Sequence, residues 1–272
     1  MKNKNDELIK IYYRELAKQK GASPYTTAPD EIMRAKEVEL ILSFFSMLKT
    51  IEKDRNSKVL DLGCGNGYTL SLLSKSEPKN IYLGLDFSKE LISIAKDRKL
   101  PYCEFVQGDA RCIPFESSSF DVVYTERTLI NILNWEEQKL ALHEIGRILK
   151  PDGYYLMIEG FTDGWINNNK ARRECGLPEL KVSFHNKYFE KKRFFQSISD
   201  IFAVFEPTQI GVEWKRLFPT NFLSSHYFIA RVLHALITKG ENIPNTEFVK
   251  FFSFLPPIGN YSPIQVYILK RK

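Results

Sequence analysis

Three aspartates, each next to a short apolar run, are the residues of this chain best suited to chemistry. Asp61 stands in Val59-Leu60-Asp61-Leu62-Gly63-Cys64-Gly65-Asn66-Gly67, Asp86 closes Ile81-Tyr82-Leu83-Gly84-Leu85, and Asp109 lies in Gly108-Asp109-Ala110. Glycines at alternate positions let a ligand lie against the backbone, and some of these positions call for φ > 0. A plain strand-to-helix turn is the other reading of the glycines alone. A dinucleotide loop is spaced G-x-G-x-x-G and presents a pyrophosphate to a helix N-terminus. Here the spacing is G-x-G-x-G, with Asp61 two residues upstream. That acid is a poor partner for a phosphate and a good one for an ammonium group. Asp86, after the second apolar run, can accept from both hydroxyls of a ribose.

The elements that position these acids alternate. Strands are expected near 58–63, 80–86, 102–107, 120–125 and 153–159, with helical stretches between them. Such alternation implies a parallel sheet with helices on both faces and its ligand-binding loops along one edge. Two helices precede the first strand, one over 6–20 and one starting after Asp30 as N-cap. Tyr12, Tyr13, Tyr25 and Arg34 of this cap face the cofactor or the acceptor, or simply pack it. After Gly160 a strand is expected around Ala203–Ile210 and an antiparallel edge strand over Ile264–Leu269. The insertions Phe161–Lys187 and Trp214–Pro263 are too long for simple connections. The chain therefore divides into a cap (1–50), a core (51–160) and the remaining strands with pocket-forming insertions (161–272), integrated in one domain.

With these motifs the chain resembles the class I S-adenosylmethionine-dependent methyltransferases. The resemblance covers roughly residues 55–160 and rests on Asp61–Gly67, Asp86, Gly108-Asp109-Ala110, Pro114-Phe115, Phe120-Asp121 and Arg147–Gly153. Asp152-Gly153 departs from the family's more usual pair of glycines. The fold it implies is α/β and Rossmann-like: a seven-stranded, mostly parallel sheet with an N-terminal helical cap and a C-terminal lid. The cofactor it implies is S-adenosyl-L-methionine. Gly63, Cys64, Gly65, Asn66 and Gly67 would lie against the methionine and ribose, with Asp61 on the ammonium group. Asp86 would take the ribose and Phe87 the adenine face. Asp109 would accept from the adenine amine, with Ala110 offering its N–H, and Thr125, Glu126 and Arg127 would border the methionine and the acceptor.

Composition sets limits. Residues 165–272 hold 16 Lys/Arg and 8 Asp/Glu, whereas residues 1–164 hold 23 and 25. A solvated basic face explains this bias, or the steering of an anionic acceptor. No nucleic-acid motif accompanies it. No uninterrupted apolar stretch reaches membrane-spanning length. Met1–Asp6 lacks the apolar centre of a signal peptide. The four cysteines form no CxxC pair, and with the four histidines they make no metal cluster. A reduced, cytoplasmic protein without metal is expected. The apolar stretch Asn221–Thr238, interrupted by Ser225, His226, Arg231 and His234, reads as a lid or as the subunit contact of a homodimer.

The expected chemistry is methyl transfer to O or N of a small, polar, anionic acceptor, for example a nucleotide-linked sugar. A lipid or quinone acceptor is the alternative, motivated by the many Phe residues between 184 and 254, and a non-catalytic cofactor-binding subunit is a third reading. His185 is the candidate base, with Tyr13 and Glu126 as substitutes, because imidazole titrates near neutrality. Tyr12, Arg127 and Asn186 are the candidate acceptor contacts.

Overall fold

The computed structural model describes residues 4–52, 56–207, 211, 216–241 and 243–272. Its strands are β1 (Lys58–Leu62), β2 (Ile81–Asp86), β3 (Cys103–Gln107), β4 (Phe120–Glu126), β5 (Leu149–Gly160), β6 (Phe202–Val204) and β7 (Ile264–Arg271). They form one seven-stranded sheet in the order β3-β2-β1-β4-β5-β7-β6. β1 to β5 pair in parallel, and β7 enters antiparallel to both β5 and β6. The strand expected around 203–210 is confined to β6, and its residues 208–210 lie outside the described residues.

Two helices come first, α1 (Lys4–Lys20) and α2 (Glu31–Ile51). α2 begins where expected: the Asp30 side chain accepts the Met33 N–H at 3.0 Å, satisfying an amide that the helix start leaves unpaired. The crossovers carry α3 (Tyr68–Ser76), α4 (Lys89–Asp97) and α5 (Trp135–Ile148). Ser88 caps α4 through Leu91 N–H, and Asn134 caps α5 through the N–H groups of Glu136 and Glu137.

The alternation of side chains along each strand separates two cores. Val59, Tyr82, Val122, Tyr124 and Ile158 join the apolar faces of α2, α3 and α4. Leu60, Leu83, Val123, Tyr155 and Met157 join those of α5 and of α7 (Lys191–Ile198). Helices thus cover both faces. On the α2 side the sheet meets Asp61, Tyr124 and Glu126; on the α5 side it meets Thr125 and Glu159.

The C-terminal part adds α6 (Thr162–Glu174), a helix over 224–237 that we number α8, and α9 (Glu247–Phe252). α8 is α-helical at Ser224–Phe228 and His234–Ile237, with a π-helical turn between them at Ile229–Leu233. It is fastened to the N-terminal cap: His226 Nε2 lies 2.9 Å from Asp30 Oδ2, and the Tyr227 hydroxyl reaches Met33 Sδ at 3.5 Å. Among the described residues, no helix is long and apolar enough to cross a membrane.

Candidate cofactor and acceptor site

Two cavities meet at the carboxyl edge of the sheet. The larger, about 900 Å³ and open to solvent on one side, is lined by Asp86, Phe87, Asp109, Ala110 and the α1 residues Asp6, Ile9, Lys10 and Tyr13. The smaller, about 350 Å³, is lined by Arg34, Asp61, Asn66 and Thr69. Gly63, Gly65, Thr27 and Glu126 border both.

The three glycines of the turn all have positive φ, for different reasons. A Cβ at Gly63 (φ +87°) would fall 2.0 Å from Thr128 Oγ1, and one at Gly67 (φ +72°) would press on Phe105 and Ala95. A Cβ at Gly65 (φ +53°) would meet nothing nearer than Thr27, at 3.8 Å. Gly63 and Gly67 are needed for packing, and Gly65 keeps space clear where the two cavities join.

Asp86 closes the turn from β2. Its Oδ2 accepts the Gly65 N–H at 2.9 Å and its Oδ1 accepts the Ser88 N–H at 2.8 Å. Burial pushes its carboxyl up to about 6, opposed by those two amides. An ionised carboxylate has about four acceptor positions, so two remain for a ribose diol. At the far end, Asp109 feels burial upward, but Arg111 outweighs it and holds the carboxyl below the ordinary range. Arg111 also pairs with Asp6 of α1 at 2.9 Å and with Glu137 at 2.6 Å, so one guanidinium joins the cap to the edge of the site.

The small cavity is a compartment of opposite charges. Asp61, 3% exposed, has its carboxyl pushed up to about 7 by burial, against the Tyr124 hydroxyl bond and the Arg34 charge. Arg34, from α2, hydrogen-bonds Glu126 and reaches Thr69 Oγ1 at 2.7 Å. Glu126 also accepts from Thr69 Oγ1 at 3.2 Å and from Arg127 Nη2 at 3.3 Å. Arg127 donates Nε to Glu37 Oε1 at 2.9 Å and Nη1 to Thr27 O at 3.1 Å.

Not every residue singled out in the sequence faces these cavities with its side chain. The Cys64 sulfur lies beside Gly84, and burial raises its thiol well above the ordinary value. The Asn66 amide donates to Gly21 O and Ser23 O, holding the α1–α2 linker. Thr125 is fully buried with its hydroxyl 2.9 Å from that of Tyr155, because odd positions of β4 face α5. It borders neither cavity.

His185 is likewise outside both cavity linings. Its ring stacks on Tyr12 with centroids 4.5 Å apart, and burial together with Arg127 lowers its pKa. Its Nδ1 is buried and lacks a hydrogen-bond partner among the described residues. Asn131 ties the cap to this insertion. It accepts from the Tyr13 hydroxyl at 2.8 Å and donates to His185 O at 3.1 Å and to Asn186 Oδ1 at 2.9 Å. Burial raises the Tyr13 phenol far above neutrality, which makes it a donor and argues against its taking a proton.

Arg34, Glu37 and Glu159 belong to this architecture and were not among the candidate residues. Glu159, fully buried on β5, accepts the N–H groups of Thr128, Leu129 and Ile130 at 3.0, 2.9 and 3.2 Å. It thereby shapes the turn that follows Arg127. An acid at the end of an apolar strand, Tyr154–Ile158, was the available signal. Among the described residues, no group of three or more His, Cys, Asp or Glu stands close enough to hold a metal ion.

Parallel strands ending in acids above a glycine turn, with β7 inserted antiparallel, define a class I S-adenosylmethionine-dependent methyltransferase domain. Residues 59–153 match the family model described as a methyltransferase domain. A demethylmenaquinone methyltransferase of Staphylococcus carnosus is 33% identical over 116 residues, 42% of this chain and 47% of that protein. An uncharacterised methyltransferase of Bacillus subtilis is 30% identical over 154 residues, 51% of this chain and 59% of that protein. The chain thus spans about half the length of these relatives. Among solved structures, a methyltransferase from Haloferax volcanii in complex with the Trm112 activator aligns with a TM-score of 0.53 at 18% identity, covering 80% of this chain and 83% of that one. An S-adenosylmethionine-dependent methyltransferase from Methanosarcina mazei aligns at 0.50 and 18% identity, covering 80% and 92%. These structures support the fold.

Proposed function

We propose that the protein transfers a methyl group from S-adenosyl-L-methionine to O or N of a small, polar, anionic acceptor. The observation that carries this reading is a nucleoside-sized cavity that opens into a compartment holding one cation and two anions. Arg34 suits the carboxylate of a methionine, and Asp61 and Glu126 suit its ammonium group. A pyrophosphate there would face Asp61, Asp86 and Glu126 without a basic loop of its own, which disfavours NAD. The open side of Gly65 supports close approach of a ligand to the backbone.

The bound cofactor supplies an activated methyl on a sulfonium, so the chain's task is alignment and exclusion of water. Asp86 and Asp109 orient the nucleoside, the small cavity orients the amino acid, and α1 covers the site. Arg127, at the border of the large cavity, is positioned to attract an anionic acceptor, and the basic C-terminal half favours its approach. A quinone-type acceptor is the second reading, favoured by the named activity of the Staphylococcus carnosus relative.

Titration calorimetry with S-adenosylhomocysteine and with NAD tests the cofactor. Binding of NAD without S-adenosylhomocysteine would overturn the reading. Labelled methyl transfer to a panel of sugar nucleotides, phenols and quinols then tests turnover. Cofactor binding with no product from any class would leave a cofactor-binding subunit as the better account.

A further inference from the structure

Behind Arg127, on the side away from the cofactor cavity, lies a second recess between α2, β5 and α8. Tyr188, Tyr227, Arg231 and Trp165 contribute to it, and each keeps part of its surface open. Yet burial pushes the Tyr188 phenol up to about 12 and raises that of Tyr227 further. Groups enclosed by protein and still partly open are those that line an interior recess. Arg127 belongs to it as well as to the cofactor cavity: its charge bears on both Tyr188 and Tyr227.

Two backbone departures frame the recess. Arg127 has φ +55°, a left-handed conformation costly for a residue with a side chain. Arg231 sits in the π-helical turn of α8, a distortion often found at functional sites. A third observation points to a ligand. Glu37 is 0% exposed, gives Oε1 to Arg127, and leaves Oε2 without a hydrogen-bond partner among the described residues. A buried carboxylate oxygen left unpaired is costly. The Tyr227 hydroxyl, which bears on Glu37, spends its proton on Met33 Sδ, a weak acceptor.

The donor and acceptor balance limits what fits. Arg127, Arg231 and the protonated phenols of Tyr188 and Tyr227 offer mainly donors, although Asp30 and Asn186 already engage Arg231 and Tyr188. One buried acceptor, Glu37 Oε2, is free. A sugar brings several hydroxyl protons, each needing an acceptor. A flat ring with a single acidic hydroxyl needs one, and the aromatic walls suit its faces: Trp165 and Tyr188 stand edge to face, 5.7 Å apart.

We propose that this recess is the acceptor site and that it takes a planar phenol or enol whose O–H donates to Glu37 Oε2 and whose oxygen rests against Arg127. The inference deepens the methyltransferase reading and rests on it. The phenolic proton passes to Glu37. The new O–CH3 bond forms as the C–S bond of the sulfonium breaks, its electron pair remaining on sulfur.

The test is fluorescence titration of 6-hydroxy-2-naphthoate into the full chain saturated with S-adenosylhomocysteine. Saturable binding is expected, weakened ~10-fold or more in Glu37→Gln and ~3-fold or more in Tyr227→Phe, with S-adenosylhomocysteine affinity within about 2-fold of the parent. Tyr227→Phe removes one hydroxyl from a half-buried side chain, so it keeps the test open if Glu37→Gln fails to fold. If S-adenosylhomocysteine binds and the naphthoate does not, the inference fails alone. It also fails if Tyr227→Phe binds the naphthoate as the parent does, or if UDP-glucose displaces it at lower concentration. If S-adenosylhomocysteine itself does not bind, the methyltransferase reading falls and this inference with it.

Discussion

Tyr124 and Asp61 are cross-strand partners on β4 and β1, and the Tyr124 hydroxyl donates to Asp61 Oδ2 at 2.7 Å. This bond favours the ionised carboxylate in a setting where burial favours the neutral one. Tyr124→Phe should raise the Asp61 pKa further and neutralise the partner proposed for the cofactor's ammonium group. Calorimetry at pH 7 should show S-adenosylhomocysteine bound ~10-fold or more weakly, since hydrogen bonds to charged groups contribute about 1.5–3 kcal/mol. Affinity should recover in part toward pH 8.5, where Asp61 ionises again. A loss equal at both pH values would remove Asp61 from ammonium recognition.

Arg34→Gln separates the two ends of the ligand. The variant should lose ~10-fold or more in affinity for S-adenosylhomocysteine while binding methylthioadenosine, which lacks the amino-acid group, within about 3-fold of the parent. The salt bridge to Glu126 is buried, both side chains being under a tenth exposed, so stability should also fall. Equal losses for the two ligands would mean that Arg34 only holds Glu126.

The turn glycines should fail differently. Gly63→Ala combines a left-handed residue with a Cβ inside Thr128, and its melting temperature should drop by several degrees or more. Gly65→Ala carries only the conformational cost, roughly 1–2 kcal/mol, and its larger defect should be in ligand affinity. Thermal unfolding with and without S-adenosylhomocysteine reads both. A Gly65→Ala protein stabilised by ligand as much as the parent would show that its open face is not a contact.

Glu159 predicts a pH effect on stability. Burial raises its folded-state carboxyl to about 7, against about 4.3 for an unfolded chain. Between these values the folded state binds the extra proton, so its contribution is present below about pH 4 and lost as pH rises toward 7. Asp61 and Asp86 act in the same direction. Urea unfolding at pH 5 and at pH 8 should give lower stability at pH 8, with a smaller difference in Glu159→Gln. An unchanged difference would assign the slope elsewhere.

The acids at the strand ends were legible because a strand, a glycine turn and a helix start are local patterns. Thr125 was misplaced because proximity along the chain was given more weight than the alternation of β4, which turns 124 and 126 toward α2 and 125 toward α5. Arg34 was noted only as a cap residue, and Glu37 not at all. Their partners Glu126 and Arg127 lie about ninety residues away, and the α2 pattern does not tell which of its polar positions turn inward. The pairing of Tyr12 with His185, and the part Asn131 plays between cap and insertion, depend on two segments meeting over the pocket. Nothing in either segment encodes the other.

The Arg111 cluster makes cofactor exchange a matter of ionic strength. Its guanidinium and the side chains of Asp6, Asp109 and Glu137 are each 24–45% exposed, so dissolved salt reaches them. At physiological ionic strength charges are screened over roughly 8 Å, and at 1 M over roughly 3 Å. α1 covers the nucleoside cavity and is held there partly by this charge cluster, whereas the bonds that orient the methionine end are buried. Added salt should therefore loosen the cover more than the grip. S-adenosylhomocysteine should leave faster in concentrated sodium chloride, and Asp6→Asn should reproduce part of that acceleration at low salt, as stopped-flow displacement can measure. Residence time of the spent cofactor would then follow the ionic composition around the protein.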